Sequence, residues 1–264
     1  MAQRAELRPV RDHEETVLGQ FAVHGVNVNG LIVPGRSIES LLARHALNLV
    51  VNNHECETYK VLLRGSATAV RYKGRELLLA TQHQLKGIDE TQVAMLTDSG
   101  SHIITSGGRR GYTTRSDTDA FDLIAFDFTA PCADRPELKK RFFNFHSAPP
   151  AVPDSQIRAM LLAGYPFAVQ LYELEDKNHL GLIRRNIACL PHSQPSDDAT
   201  LMVKTVRPLD IDPDGMSGGP AFVILDDNGG PEAYLAGIIV RGGRELFTII
   251  KVGVVLEFLR SVFD

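Results

Sequence analysis

The sequence has no excess of basic residues and no long apolar run. Lys and Arg total 28 against 32 Asp and Glu, which gives a net charge of −4 and a pI near 6.1. Nucleic-acid binding would require a basic footprint. No run reaches the roughly 18 apolar residues of a membrane-spanning helix, and the charged start lacks the pattern of a signal peptide. We therefore expect a cytoplasmic protein that binds neither nucleic acid nor membrane.

Cysteine is also scarce, which excludes two further classes of protein. Cys56, Cys132 and Cys189 are odd in number and far apart, so they predict neither a disulfide framework nor a paired CxxC metal site. Reduced cysteines that pack in a core are typical of a cytosolic protein. The 264 residues are 44% hydrophobic and 23% charged, which is typical of a soluble globular protein with one large or two small units.

Short β-rich segments dominate from residue 60 onward. Apolar runs of strand length, separated by Gly, Asp and Ser at hairpin distances, predict two all-β units. The residues Asp-Asn-Gly-Gly at 227–230 predict a hairpin turn in the second unit. The predicted strands are 61–72, 75–82, 92–96, 102–105 and 122–128 in the first unit, and 157–164, 181–190, 200–206, 219–225, 233–240 and 246–252 in the second.

Helical spacing is found near both ends, and prolines separate the two units. Apolar spacing predicts a helix from Ser37 to Val51 and another at the C-terminal end. The proline-rich stretch between the units predicts a linker with at most one short basic helix near Leu138 to Phe143. We divide the chain into an N-terminal extension with a helix (1–55), a first β-barrel (56–130), a linker (131–156), a second β-barrel (157–252) and a C-terminal helix (253–264).

The segment Gly-Met-Ser-Gly-Gly-Pro at 215–220 is the sharpest local motif. It lies between a polar loop and an apolar strand. Small residues around Ser217 allow a tight turn that exposes the hydroxyl and brings the N–H groups of Gly215 and Ser217 toward one point. Such a pair of donors can bind an oxyanion. The motif therefore predicts a nucleophilic serine.

Two other hydrolase classes are excluded by the positions of the histidines. An α/β-hydrolase needs its histidine after the nucleophile, but no histidine follows His192. A zinc protease needs HExxH, and neither His-Glu pair, at 13–14 and 54–55, is followed by a second histidine at the required position.

The GxSGGP pattern around Ser217 resembles the nucleophile loop of trypsin-like, chymotrypsin-fold serine proteases. His83, at the end of LLLATQH, is similar to that family's Thr-Ala-Ala-His, and Asp122, at the start of DLIAF, is similar to its Asp-Ile-Ala-Leu. The order His, Asp, Ser is the one that this family uses. Asp117 and Asp119 are rivals for the acid, but an apolar strand follows Asp122 directly.

The resemblance covers roughly residues 60–255, with AGYP at 163–166 similar to the opening of the second barrel. It implies an all-β fold, a double β-barrel of the chymotrypsin type, and a serine endopeptidase that acts on a protein or peptide substrate. Ser217 would attack the peptide carbonyl, His83 would take its proton, and Asp122 would orient His83. The N–H groups of Gly215 and Ser217 would hold the oxyanion. This chemistry needs no metal or cofactor.

Two positions depart from the pattern of secreted relatives. Gln84 stands where those often have Cys, and Met216 stands where members activated by cleavage have Asp. The chain therefore resembles more closely the bacterial stress-type and glutamyl-endopeptidase-like branch, which needs no N-terminal ammonium. A different class stays open: a catalytically latent binding module with the protease fold and a closed cleft. Residues 1–55 are a candidate docking segment for a regulatory partner.

The resemblance also implies which residues meet the substrate. Alignment on Ser217 places Ile211 at the floor of the specificity pocket, where proteases that prefer basic residues keep a carboxylate. An apolar floor favours burial of small or medium apolar side chains, with acidic residues second and Lys or Arg last. The expected substrate-binding residues are Ile211, Asp214, Val240, Arg241 and Gly242.

Overall fold

A computed structural model describes residues 25–53, 60–97, 102–112, 119–173, 179–192, 198–227 and 229–264. Within these residues the chain is mostly β-strand and forms two all-β units, followed by a C-terminal helix. Two strands predicted from the sequence, 61–72 and 157–164, have the observed bounds. No helix in the described part is long and apolar enough to cross a membrane.

The first unit is a curled sheet of eight strands within the described residues. Strand β10 (Phe143–Asn144) pairs in parallel with β4 (Val61–Tyr72), whereas the other neighbouring strands in this sheet are antiparallel. Lys73 and Gly74 join β4 to β5 (Arg75–Ala80) with φ angles of 48° and 78°, as a tight hairpin turn requires. Apart from β10, the strands of this sheet lie in the spatial order β7 (Ile103–Thr105), β6 (Val93–Leu96), β3 (Ala46–Asn52), β4, β5, β9 (Ile124–Asp127) and β8 (Gly108–Gly111).

The second unit is a barrel of six antiparallel strands. The barrel is closed because the two strands at the ends of the spatial order, β16 (Pro220–Asp227) and β17 (Gly230–Gly242), pair with each other. Asp227 lies opposite Gly230 in the last hairpin, which confirms the turn predicted at 227–230, although Asn228 is outside the described residues. A separate hairpin joins β12 (Leu171–Glu173) to β13 (His179–Gly181). The barrel order is β16 (Pro220–Asp227), β11 (Ile157–Gly164), β14 (Arg185–Pro191), β15 (Thr200–Thr205), β18 (Leu246–Lys251) and β17 (Gly230–Gly242).

The helix predicted from Ser37 to Val51 is wrong beyond Ala43. Helix α1 covers Ile38–Ala43, and the following residues form β3 in the first sheet. In β3 both faces are largely buried, and its backbone pairs with β4 on one side and β6 on the other. A helix would bury one face and forgo these pairings, so the sheet overrides the helical spacing.

The segment assigned to the N-terminal extension therefore contributes strands to both units. Strand β3 belongs to the first sheet, whereas β1 (Gly25–Val28) pairs in parallel with β17 and in antiparallel with β2 (Leu31–Pro34). This hairpin extends the sheet of the second unit. Residues 1–24 and 54–55 of the extension lie outside the described residues.

The linker crosses between the units with one short helix. Helix α2 covers Pro136–Lys139, so it begins earlier than the predicted helix near Leu138 to Phe143, and Phe143 belongs to β10 instead. Proline is favoured in the first turn of a helix because its missing N–H would have no partner there.

One apolar cluster joins the two units. It includes Phe143 of the first sheet and Phe222 of the second, whose ring centroids lie 5.1 Å apart. Helix α3 (Val252–Phe263) buries Val255, Phe258 and Leu259 in the same cluster, which agrees with the predicted C-terminal helix. The units are thus held by a shared core, which keeps the cleft between them in a defined geometry.

Candidate active site

His83 lies in a short 3-10 helix, Gln82–Leu85, that follows directly on β5. Thr81 caps this helix, and its side chain and that of Gln84 form a reciprocal capping box. The cap turns the chain out of the sheet, so the imidazole of His83 is half exposed.

Asp122 faces His83 because β5 and β9 are paired. Ala80 lies opposite Ile124 at the end of this pairing, which brings the residues after β5 next to those before β9. Asp122 Oδ2 lies 2.5 Å from Nδ1 of His83, and Oδ1 accepts the backbone N–H of His83 at 3.0 Å. A carboxylate only accepts, so Nδ1 carries a proton, and in the neutral form of the imidazole Nε2 is then an acceptor.

Of the other two candidate acids, only Asp119 lies in the described part of the chain, and its ion pair there is with Arg241 rather than with His83. Asp119 lies in the same cavity, but its Oδ2 is 2.6 Å from Nη2 of Arg241. Asp117 lies outside the described residues. Of the described candidates, Asp122 is therefore the carboxylate that contacts the imidazole.

Ser217 lies in a turn that needs glycine. Gly215 and Gly218 have φ angles of 98° and 83°, which side chains rarely adopt. A Cβ at Gly215 would lie 2.6 Å from the carbonyl oxygen of Tyr165, and one at Gly219 would overlap that of Ala163. The glycines therefore allow the turn to pack directly against the backbone of the second barrel.

Two buried hydroxyl groups of β4 hold the carbonyl groups of this turn. Ser66 Oγ donates to the carbonyl oxygen of Gly215, and Thr68 Oγ1 donates to that of Gly218, both at 2.7 Å. Ser66 Oγ also accepts the N–H of Tyr165 at 2.7 Å. These two residues were not predicted from the sequence; the available signal was two hydroxyl residues, two positions apart, among the small and apolar residues 65–70.

The N–H groups of the turn divide into two sets. Those of Met216, Gly218 and Gly219 donate to backbone carbonyls. Among the described residues, no acceptor is found for the N–H groups of Gly215 and Ser217. These are the two N–H groups that the sequence predicted for an oxyanion.

The hydroxyl of Ser217 points to the backbone of β17. Its Oγ donates to the carbonyl oxygen of Val240 at 2.9 Å. The single proton of the hydroxyl is thus engaged by Val240 and is not directed to His83 in this arrangement.

A cavity of about 290 Å³ brings most of the predicted residues together. Ile211 is half-buried and is not among the lining residues, and neither is Gly215. The lining also includes residues that were not predicted as substrate-binding: Asp119, Pro213, Met216 and Ile239. The predicted residues in the lining are His83, Asp122, Asp214, Ser217, Val240, Arg241 and Gly242.

Cys132, Cys189 and His45 do not line this cavity. Burial raises the pKa of the Cys132 thiol to about 11 and that of Cys189 to about 12, so neither is a thiolate near neutral pH. Burial lowers the pKa of His45 from 6.5 to about 4, and its Nδ1 lies 2.7 Å from the carbonyl oxygen of Arg141. Cys56 lies outside the described residues.

No protein-family model and no curated protein matches the sequence. Among solved structures, kallikrein-related peptidase 10 is similar at 11% identity and a TM-score of 0.51, over 84% of this chain and 95% of that chain. Human heparin binding protein is similar at 10% identity and a TM-score of 0.51, over 84% of this chain and 92% of that chain. The fold class predicted from the sequence is confirmed: an all-β double barrel of the chymotrypsin type with a C-terminal helix.

Proposed function

We propose that this chain is a serine endopeptidase that works through an acyl-enzyme, with Ser217 as nucleophile, His83 as base and Asp122 as orienting acid. The proposal rests mainly on the contact of 2.5 Å between His83 Nδ1 and Asp122 Oδ2, in a cavity that Ser217 also lines. An imidazole with Nδ1 on a carboxylate and Nε2 left as acceptor can take a proton from a nearby hydroxyl.

In the proposed mechanism, Ser217 Oγ forms a bond to the peptide carbonyl carbon while its proton moves to His83 Nε2. The N–H groups of Gly215 and Ser217 stabilise the negative oxygen of the tetrahedral intermediate. Collapse breaks the C–N bond, and His83 gives its proton to the leaving amine. Water then attacks the acyl-enzyme with His83 again as base, and Ser217 is released with its proton.

One observation favours a second candidate function, a latent binding module with the protease fold. The Ser217 hydroxyl donates to Val240, so its proton is not directed to His83 in this arrangement. A change in the torsion angles of the Ser217 side chain would redirect this proton, and such a change is local to one residue. We therefore place the endopeptidase first and the latent module second.

The proposal includes catalytic activity of the chain without prior proteolytic cleavage. Met216 is buried and packs in the core cluster of the second barrel, where it offers no charge to a newly formed N-terminal ammonium. The chain would then be organised without proteolytic maturation, as in the bacterial stress-type and glutamyl-endopeptidase-like branch, and would act in a reducing cytoplasm.

The substrate proposal is a protein or peptide with a small or medium apolar residue before the scissile bond. It is supported by apolar groups in the cavity lining, of which Met216, Ile239 and Val240 are buried. Because Arg241 also lines the cavity, we place acidic residues second in the proposed order of preference before the scissile bond. Ile211, the predicted pocket floor, does not line the cavity. The apolar surface proposed to contact the substrate is therefore that of Met216, Ile239 and Val240.

A fluorophosphonate probe tests the proposed function on the uncut protein. Intact mass should show one probe per chain, on Ser217, and Ser217→Ala should remain unlabelled. Labelling that needs prior N-terminal trimming would contradict competence of the uncut chain. No labelling of either form, with the fold retained, would support the latent module instead.

A further inference from the structure

Gln84, the residue after His83, has an amide group that forms hydrogen bonds in two directions. Its Oε1 accepts the backbone N–H of Thr81 at 3.0 Å and the Thr81 hydroxyl at 2.8 Å. Its Nε2 donates to the carbonyl oxygen of Ser217 at 2.7 Å and to that of Ser66 at 3.1 Å, with the carbonyl oxygen of Arg64 at 3.4 Å. One side chain thus connects the turn of His83 to the turn of Ser217.

The chemistry of these partners allows one orientation of the amide. A backbone N–H only donates and a carbonyl oxygen only accepts, so the Gln84 oxygen must face Thr81 and the nitrogen must face Ser217. Thr81 and Ser66 are fully buried, and loss of the amide would leave their backbone groups without these partners. The arrangement is therefore specific for glutamine rather than for any polar residue.

Two glycines provide the space for this amide. A Cβ at Gly65 would lie 2.5 Å from Gln84 Nε2, and a Cβ at Gly218 would lie 2.7 Å from Gln84 Oε1. Both glycines also have positive φ, at 125° and 83°. The amide thus lies between β4 of the first unit and the Ser217 turn of the second unit.

We propose that Gln84 is a positioning residue that sets the placement of His83 relative to Ser217. The inference rests on the proposed function. His83 is held by Asp122 within the first unit, whereas Ser217 belongs to the second, so catalysis requires a defined relation between the two units. Gln84 contributes to it through the Ser217 carbonyl, which also accepts the N–H of Ser66 at 3.2 Å. The bond from Gln84 is the contact that leads directly from this carbonyl to the turn of His83. A misplacement of about 1 Å at such a pair lowers turnover by about 100-fold.

Two variants separate the two sides of the amide. Gln84→Met keeps similar length and removes all of these hydrogen bonds. Gln84→Glu keeps an acceptor for Thr81 but places a second oxygen against the carbonyls of Ser217 and Ser66. Gln92→Met is the matched control, because Gln92 is also a half-buried glutamine in a short 3-10 helix of the first unit and does not line the cavity.

The measurements are kcat and KM on one peptide substrate, together with Tm and the fluorophosphonate labelling rate. We expect both Gln84 variants to lose roughly 10- to 100-fold in kcat with KM within about twofold, and Gln92→Met to match wild type. Equal kcat in Gln84→Met and Gln92→Met would overturn the inference and leave the proposed function intact.

Amide hydrogen exchange supplies a readout that does not depend on activity. In Gln84→Met, exchange should become faster in residues 214–219 as well as at Thr81, and it should stay unchanged in Gln92→Met. If wild type is not labelled by the probe, the proposed function fails, and exchange then decides whether Gln84 connects the two turns. Unchanged exchange at 214–219 would overturn that connection.

Discussion

The guanidinium of Arg241 forms an ion pair with the carboxylate of Asp119, with 2.6 Å between Nη2 and Oδ2. Arg241 lies on β17 of the second unit, whereas Asp119 begins the 3-10 helix that precedes Asp122 in the first. Both residues line the cavity of His83 and Ser217, so the pair crosses the cleft at the candidate active site. Arg241 is 64% exposed, and such pairs contribute little to stability.

The Asp119–Arg241 pair therefore predicts an effect on substrate choice. Asp119→Asn leaves Arg241 without its carboxylate, so kcat/KM for peptides with an acidic residue should rise about 3- to 10-fold relative to neutral analogues. The gain should shrink at high salt because the pair is exposed. Kinetics on matched Glu and Gln peptides measure it, and the double variant Asp119→Asn/Arg241→Gln should lose the gain. An equal gain in the double variant would show that Arg241 is not responsible.

The residues proposed as a triad should behave as one unit. Ser217→Ala and His83→Ala should each abolish cleavage, and the double variant should lose no more than either alone. Asp122→Asn should retain the fold and lower kcat by about 10⁴, because His83 would adopt the wrong tautomer. Steady-state kinetics check these values. Asp119→Asn serves as the control, and a loss of 10⁴ there with normal Asp122→Asn would identify the wrong acid.

Primary specificity follows from the apolar side of the cavity. Peptides with Val, Ala or Leu before the scissile bond should be cleaved fastest, acidic residues second, and Lys or Arg last, because burial of a charge without a partner costs free energy. A peptide library with Ser217→Ala as blank gives the ranking. Faster turnover of Arg or Lys substrates would instead indicate that Asp214, which lines the cavity, is the main recognition group.

Ser66 should stabilise the fold as well as the site. Ser66→Ala removes the partner of the Gly215 carbonyl and of the Tyr165 N–H, and loss of hydrogen bonds to such groups costs about 1–3 kcal/mol. Urea unfolding measures the change in the free energy of unfolding. Ser40→Ala, on the exposed face of α1, is the control and should change it by less than about 0.5 kcal/mol. Equal stability of the two variants would contradict this role.

His45 should make stability depend on pH. Burial lowers its pKa in the folded state to about 4, below the ordinary 6.5. Between these pH values the unfolded chain binds a proton that the folded one does not, so stability falls as the pH falls from 6.5 to 4. The slope from this group approaches about 1.4 kcal/mol per pH unit. Urea unfolding at pH 7 and pH 5 should show this loss in wild type, whereas His45→Asn should lack it even if its overall stability is lower.

The sequence by itself determined the β units and the residues at the centre of the candidate site. Strands β4 and β11 have their predicted bounds because apolar runs of strand length between turn residues are local signals. Ser217, His83 and Asp122 were found by motif and order, since a glycine-rich turn and a residue at a strand end are also set by near neighbours. The contact between His83 and Asp122 then followed from the pairing of β5 with β9.

Only the tertiary structure decided what depends on distant neighbours. The segment after Ala43 has helical spacing, but pairing with β4 and β6 makes it a strand. Ile211 aligned with a pocket floor, yet it is not among the residues that line the cavity, whereas its near neighbours Pro213 and Asp214 are. The bonds of Gln84 to Ser217 and of Arg241 to Asp119 join residues more than 100 positions apart, and no local pattern specifies such contacts.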